Sequence, residues 1–162
     1  MWSIPFLLSQ YEFPKKIGIE HGVSLELAAA GHRYDIDILD HDLGRSTSLP
    51  VRNESCNVVT MLACLEHLEP SCVDVILRDI RRILSPNGLL IITTPPPWTD
   101  KILKVMARMR LVSSDEIYDH KAAYSYPDLV ALLLEAGFRP NLIQAGYFEW
   151  GMNCWAVAVK ES

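Results

Sequence analysis

Apolar residues recur along the chain with two periods, and segments of the two kinds alternate. Continuous or every-second apolar residues are typical of β-strands, whereas apolar residues three and four positions apart predict helices. The strand-like runs are residues 15–20, 34–39, 56–62, 89–94, 141–148 and 154–160. The helical patterns are residues 25–30, 73–84 and 127–136. Strands that alternate with helices predict an α/β fold.

Capping and turn residues predict where these elements end. Ser24 is a favourable N-cap, and Gly31 is predicted to stop the helix that Ser24 begins. Residues 85–88 (SPNG) are predicted to separate a helix from a strand, and the prolines at 95–97 end that strand. Gly137 is predicted to close the last helix in the same way as Gly31.

The polarity of the strands predicts their places in a mostly parallel sheet. Residues 34–39 carry two aspartates and are predicted to lie at an edge, whereas residues 56–62 are apolar on both faces and are predicted to lie inside. Gly151 and Asn153 separate the last two strands, which predicts a C-terminal antiparallel hairpin. Residues 98–124 have no clean apolar period, and we expect them to form an insertion that covers a site. The whole chain, residues 1–162, is expected to form one domain.

Composition and charge narrow the class of protein. The chain has 162 residues, 49% of them apolar and 22% charged, which fits one globular domain. Its net charge is −5, so nucleic acid is not an expected partner. No apolar stretch approaches the roughly 20 residues of a membrane-spanning helix, so no transmembrane segment is expected. The four cysteines lack C-x-x-C spacing, which favours reduced, buried thiols and a cytoplasmic location.

One family shares the order of these features. The chain carries Leu65-Glu66-His67-Leu68, then SPNGLLIITTP from residue 85, then Glu135-Ala136-Gly137-Phe138, and it closes with NCWAVAVK from residue 153. From Gly18 onward this order resembles the class I S-adenosylmethionine-dependent methyltransferases, in the branch with an LEHL motif. The resemblance spans about 140 of the 162 positions. It implies a Rossmann-like sheet and S-adenosylmethionine as cofactor.

The resemblance also implies a set of cofactor-binding residues, each just after a strand. In open α/β sheets ligands bind beyond the carboxyl ends of the strands. An acid at the position of Glu20, with His21 beside it, accepts hydrogen bonds from the two ribose hydroxyls. A carboxylate suits this role because it is a hydrogen-bond acceptor and not a donor. Asp42 and Leu43 are expected against the adenine, with Asp40 as the alternative to Asp42. The methionine part is expected against Leu62, Ala63 and Cys64, for which core packing is the other interpretation.

Three residues are candidates for catalysis on the acceptor side. His67 could take a proton from an attacking hydroxyl because imidazole changes charge near neutral pH; a histidine bonded to backbone is the alternative. His120 and Tyr124 lie in the predicted insertion and could face the acceptor. Some relatives hold a divalent metal with an E-x-x-E-H run, but this chain has Ala63 at the position of the first Glu, so no metal is expected.

The family's Gly-rich turn and the strand before it have no counterpart here. No G-x-G pattern occurs among the eight glycines. We therefore expect an N-terminally truncated sheet without its first central strand, whose free edges need partners. Residues 15–20 could pair directly with residues 56–62, residues 2–8 could substitute, or the true start could lie upstream. An oligomer could also cover the edges.

These features lead to two hypotheses of different classes. The first is methyl transfer from S-adenosylmethionine to a small-molecule acceptor or one of glycan or lipid type, in which the protein mainly aligns acceptor and methyl group. The alternative is a non-catalytic remnant of the fold, or a partner subunit, that no longer binds the cofactor.

Overall fold

The computed structural model describes residues 13–45, 48–99 and 121–162. It divides into two compact units, residues 1–46 and 47–162. Most of the predicted insertion lies outside the described residues, as do residues 2–8.

The N-terminal unit contains a two-stranded parallel sheet and one helix. Its elements are β1 (Ile17–Glu20), α1 (Leu25–Arg33) and β2 (Asp37–Asp40). Glu20 lies opposite Asp40 in the parallel register, so both strands end together. The side chain of Ser24 accepts a hydrogen bond from the backbone N of Leu27 at 3.1 Å, which confirms the predicted N-cap.

Gly31 does not stop α1, contrary to the sequence prediction. The helix continues to Arg33, and Gly31 is buried within it. A Cβ atom at position 31 would lie 2.6 Å from Cγ1 of Ile38 and 2.8 Å from the backbone O of Ile36. Glycine is required here because helix and strand approach closely, not because the helix ends.

The C-terminal unit contains a four-stranded mixed sheet and two helices. The helices and strands are β3 (Cys56–Leu62), α2 (Pro70–Ile83), β4 (Leu84–Thr94), α3 (Tyr126–Glu135), β5 (Ile143–Phe148) and β6 (Asn153–Val159). Short 3₁₀ helices cover Leu65–His67, Pro140–Leu142 and Glu149–Gly151. The strand order is β3-β4-β6-β5. β3 and β4 are parallel, and β6 is antiparallel to both β4 and β5, which confirms the predicted C-terminal hairpin.

Both helices bury one apolar face, as their periodicity predicts. In α2 the buried residues are Val73, Ile76, Leu77, Ile80 and Ile83. In α3 they are Leu129 and Leu133. The sheet contributes Leu90 and Ile92 of β4 and the small residues Cys154, Ala156 and Ala158 of β6. This unit therefore has a continuous core.

The strand β3 differs from its prediction as an inner strand covered on both faces. Its bounds are as predicted, but among the described residues β4 is its only strand neighbour. Val58 is 39% exposed although it is apolar. Within its own unit β1 pairs with β2, and within the other unit β3 pairs with β4. Direct pairing of β1 with β3, one of the three expected repairs, stays a prediction. An apolar run indicates that a strand can be covered, but not that a second neighbour is present.

Candidate functional site

The carboxyl ends of β1 and β2 carry the first group of predicted site residues. Glu20 is exposed, and its Oε1 accepts a hydrogen bond from the backbone N of His21 at 3.1 Å. Gly22 donates its backbone N–H to Oδ1 of Asp40 at 2.9 Å. Asp40 therefore braces the turn after β1, whereas the carboxylate of Glu20 is presented to solvent.

Asp42 begins a separate turn after β2. Its Oδ1 accepts from the backbone N of Gly44 at 2.8 Å, and its Oδ2 lies 3.4 Å from Nε of Arg45. Leu43 in this turn is half-buried. Both Asp40 and Asp42 thus have local structural partners, so the choice between them for the adenine stays a prediction.

The turn after β3 carries the second predicted group, Leu62, Ala63 and Cys64. Ala63 has a φ of 49°, a left-handed conformation that is rare for a residue with a Cβ atom. Its backbone N donates to the backbone O of Thr93 at 3.0 Å, which holds this conformation against the end of β4. Ala63 is exposed, and its two neighbours are half-buried. Backbone strain of this kind is concentrated at functional sites.

A buried polar cluster lies directly beyond this turn, and the sequence did not predict it. Glu66 is only 1% exposed, and its Oε2 accepts a hydrogen bond from Oγ1 of the buried Thr94 at 2.9 Å. The thiol of Cys154 lies 3.1 Å from the backbone O of Thr94. The pKa of this thiol is raised to about 11, mainly by burial and to a smaller extent by the negative charges of Glu66 and Asp128. Glu66, Thr94 and Cys154 are called the buried cluster below.

Two of the predicted catalytic residues lie next to this cluster: His67 follows Glu66 in the chain, and the backbone O of Tyr124 lies 3.2 Å from the thiol of Cys154. His67 is half-buried at the end of the 3₁₀ helix, and its backbone N donates to the backbone O of Cys64 at 3.2 Å. Tyr124 is half-buried, and its hydroxyl is buried without a hydrogen-bond partner among the described residues. Burial and the charge of Asp128 raise the pKa of the Tyr124 phenol. His120 lies outside the described residues.

Tyr124 lines an open groove along α3. The groove has a volume of about 400 Å³. Its described lining consists of Ala123, Tyr124, Asp128, Ala131, Leu132 and Glu135. On α3 the carboxylates of Asp128 and Glu135 lie on either side of the apolar Ala131 and Leu132, a lining that suits a small molecule with an apolar body and a cationic group.

The four cysteines are thiols rather than disulfides, as predicted, although only Cys154 is fully buried. Among residues 13–45, 48–99 and 121–162 no cluster of metal-binding side chains occurs. None of the helices in that part of the chain is long and apolar enough to cross a membrane.

A family model described as a methyltransferase domain matches residues 9–142. The chain belongs to this methyltransferase family. Membership confirms the predicted family and implies S-adenosylmethionine as the cofactor. A search of the curated proteins found no match.

Solved structures support the same fold. A Thermotoga maritima "SAM-dependent methyltransferase, possible histamine N-methyltransferase" has a TM-score of 0.66 at 19% identity, covering 90% of this chain and 73% of its own. A "possible exported protein" of Bordetella parapertussis has a TM-score of 0.72 at 16% identity, covering 97% and 58%. A complex that contains the Haloferax volcanii Trm112 methyltransferase activator has a TM-score of 0.67 at 13% identity, covering 91% and 73%. The Rossmann-like fold class is therefore confirmed.

The described residues fit parts of this cofactor. A ribose diol presents two donors, and Glu20 offers an exposed carboxylate, which only accepts. Beyond β3, the exposed, left-handed turn at Ala63 presents backbone rather than a bulky side chain. Neither observation assigns a binding role, so the cofactor-binding residues stay predictions.

Proposed function

We propose that this methyltransferase domain binds S-adenosylmethionine and transfers its methyl group to a small-molecule acceptor or one of glycan or lipid type. The observation that carries the proposal is the exposed carboxylate of Glu20, at the carboxyl end of a parallel strand in a chain that belongs to the family. Ligands of open α/β sheets bind beyond that end.

The residues proposed to bind the cofactor are those that the sequence predicts. Glu20, with His21 beside it, holds the ribose hydroxyls, and Asp42 with Leu43 meets the adenine. Leu62, Ala63 and Cys64 line the methionine part. The cofactor supplies an electrophilic methyl group on a sulfonium, and the chain's contribution is to bind and orient.

The proposed acceptor side uses Tyr124 and the groove along α3. Tyr124 is proposed to face the acceptor because it lines this groove, and Asp128 and Glu135 favour a cationic acceptor. His67 and His120 are the proposed bases for a hydroxyl acceptor. The Thermotoga maritima relative's description names an amine, so amines belong in the first acceptor panel with hydroxylated lipids and sugars.

The alternative is a non-catalytic partner subunit of methyltransferase fold. It is favoured by the absence of any G-x-G pattern in the sequence and by the place of β3 at the end of the strand order in its own sheet. The similarity to a complex containing a methyltransferase activator makes an assembly of this kind worth testing.

Calorimetric titration with S-adenosylmethionine and S-adenosylhomocysteine separates the two hypotheses. We expect measurable binding by the wild type and binding weaker by about 10–100-fold in Glu20→Gln, because charged hydrogen bonds contribute about 1.5–3 kcal/mol. Glu26→Gln, an exposed acid on α1, is the matched control and should bind as the wild type. No heat and no thermal shift at millimolar ligand would support the alternative. Equal binding by Glu20→Gln and wild type would remove Glu20 from the site.

A further inference from the structure

Glu66 joins separate segments of the C-terminal unit. Its side chain accepts from the hydroxyl of Thr94 at the end of β4. Its backbone O accepts from the backbone N–H groups of Lys121 at 2.8 Å and Ala122 at 3.2 Å. One residue of the LEHL motif therefore fixes both the strand end and the chain that precedes α3.

Cys154 at the start of β6 provides a second connection to the same chain segment. Its thiol lies 3.1 Å from the backbone O of Thr94 and 3.2 Å from that of Tyr124. The thiol is fully buried, and its raised pKa keeps it protonated and able to donate. The backbone of residues 121–124 is thus held at both of its ends by the buried cluster.

The carboxyl group of Glu66 is unusual for a fully buried position. Burial of an ionisable group is costly unless it is hydrogen-bonded, and an aliphatic residue would fill the same volume without that cost. Glu66 is as buried as the leucine that precedes it, and its oxygen meets a fully buried hydroxyl. Such a directional bond fixes geometry in a way that apolar contact does not.

We infer that Glu66 is a positioning residue, which acts with Thr94 and Cys154 to hold residues 121–124 so that the side chain of Tyr124 stays in the groove along α3. This inference rests on the proposed function, because it concerns the acceptor side of that site. It gives the glutamate of the LEHL motif a task distinct from metal binding and from proton transfer.

Amide hydrogen exchange tests the connection without cofactor or acceptor. Thr94→Val removes the hydroxyl but keeps the shape, and we expect the amides of Lys121 and Ala122 to exchange about tenfold faster or more. Thr94→Ser keeps a hydroxyl and should restore protection to near the wild-type level. Glu69→Gln breaks only the exposed Lys121–Glu69 ion pair of 3.2 Å and is the matched control. Unchanged protection of Lys121 and Ala122 in Thr94→Val, or an equal loss across β4 and β6, would overturn the inference.

Titration of the Tyr124 phenol provides a readout that general loss of stability does not move. In wild type we expect a pKa above the ordinary value of about 10, followed by NMR of ring-labelled tyrosine and assigned with Tyr124→Phe. Thr94→Val and Cys154→Ala should each lower it toward 10, because the ring gains access to water. Glu66→Gln keeps an acceptor oxygen and should keep the raised pKa. A pKa of Tyr124 that is unchanged in both Thr94→Val and Cys154→Ala would contradict the inference.

The two proposals fail separately. Loss of cofactor binding in the calorimetric experiment would leave exchange and phenol titration unaffected. Conversely, wild-type exchange in Thr94→Val with intact cofactor binding would reject the positioning role alone.

Discussion

The two units differ in the number of residues that are buried from solvent. In the described part of the N-terminal unit only Gly31 and Ile36 are buried, and its sheet has two strands. The C-terminal unit buries apolar residues from two helices and three strands. An isolated pair of strands is only marginally stable in water, whereas a four-stranded sheet packed against helices can be stable by itself.

The predicted functional residues fall in units that differ in packing. Glu20, the candidate for the ribose, lies in the sparsely packed unit, whereas Tyr124 and the buried cluster belong to the packed one. We expect the acceptor side to keep its geometry without ligand and the ribose side to gain order when the cofactor binds. Ligands that bind only the folded state stabilise it, so the cofactor should protect the N-terminal amides most.

A substitution in the core of the C-terminal unit tests the difference in packing. Leu77→Ala removes a fully buried side chain of α2, and we expect the free energy of unfolding to fall by about 2–5 kcal/mol. The matched substitution Leu25→Ala, at a leucine of α1 that is 91% exposed, should change it by less than about 0.5 kcal/mol. Urea unfolding measures both. A cost below about 1 kcal/mol for Leu77→Ala would contradict the described core.

A second substitution tests the closest approach in the N-terminal unit. Gly31→Ala places a Cβ against Ile38 and the backbone O of Ile36, and overpacking of this kind costs about 1–3 kcal/mol. Ala29→Ser, an exposed neighbour on α1, is the control, with an expected cost of about 0.5 kcal/mol or less. We expect faster amide exchange in α1 and β2 and little change in α2. A Gly31→Ala protein as stable as wild type would show that helix and strand do not meet closely.

The elements were largely predictable from the sequence because their apolar periods are strong. The bounds of β3 and the end of β4 agree with the pattern, and α3 closes at Gly137 with a φ of 95°, as expected of glycine after a helix. Gly31 was misassigned because glycine serves helix ends and close packing alike. The two uses are distinguished by the close packing of Ile38 of β2 against α1, which the sequence does not show.

The candidate site was predictable in part. Strand-end positions such as Glu20 follow from the fold, because ligands bind beyond the carboxyl ends of strands. The buried cluster was not predictable, because Glu66, Thr94 and Cys154 are far apart in sequence and each has an ordinary interpretation alone. The segments LEHL, SPNGLLIITTP and NCWAVAVK contain all three positions, but none of these segments shows which of its side chains meet in the core.

The thiol in the packed unit offers an alkaline test. Because Cys154 titrates near pH 11 in the folded state and near 9 when unfolded, its stabilising contribution is complete below pH 9 and is lost as the pH rises toward 11. We expect wild type to lose about 1–2 kcal/mol more than Cys154→Ala between these pH values. Urea unfolding at each pH, with Cys72→Ala as the control for a half-buried thiol, measures the difference. Parallel pH profiles of wild type and Cys154→Ala would contradict the burial of this thiol.

The smallest expected effect concerns the turn where the packed unit meets its proposed ligand. Ala63 holds a φ of 49°, which costs a residue with a Cβ about 1–2 kcal/mol, whereas glycine adopts it freely but loses more conformational entropy on folding. Ala63→Gly should therefore raise the free energy of unfolding by up to about 1 kcal/mol, measured by urea unfolding. The control Ala29→Gly, at an exposed position in the regular helix α1, should lower the free energy of unfolding by about as much. Opposite signs for the two substitutions would show that the backbone conformation of residue 63 causes the difference. If Ala63→Gly destabilises the protein as Ala29→Gly does, the turn after β3 is not left-handed, and its proposed place beside the methionine part of the cofactor loses its structural support.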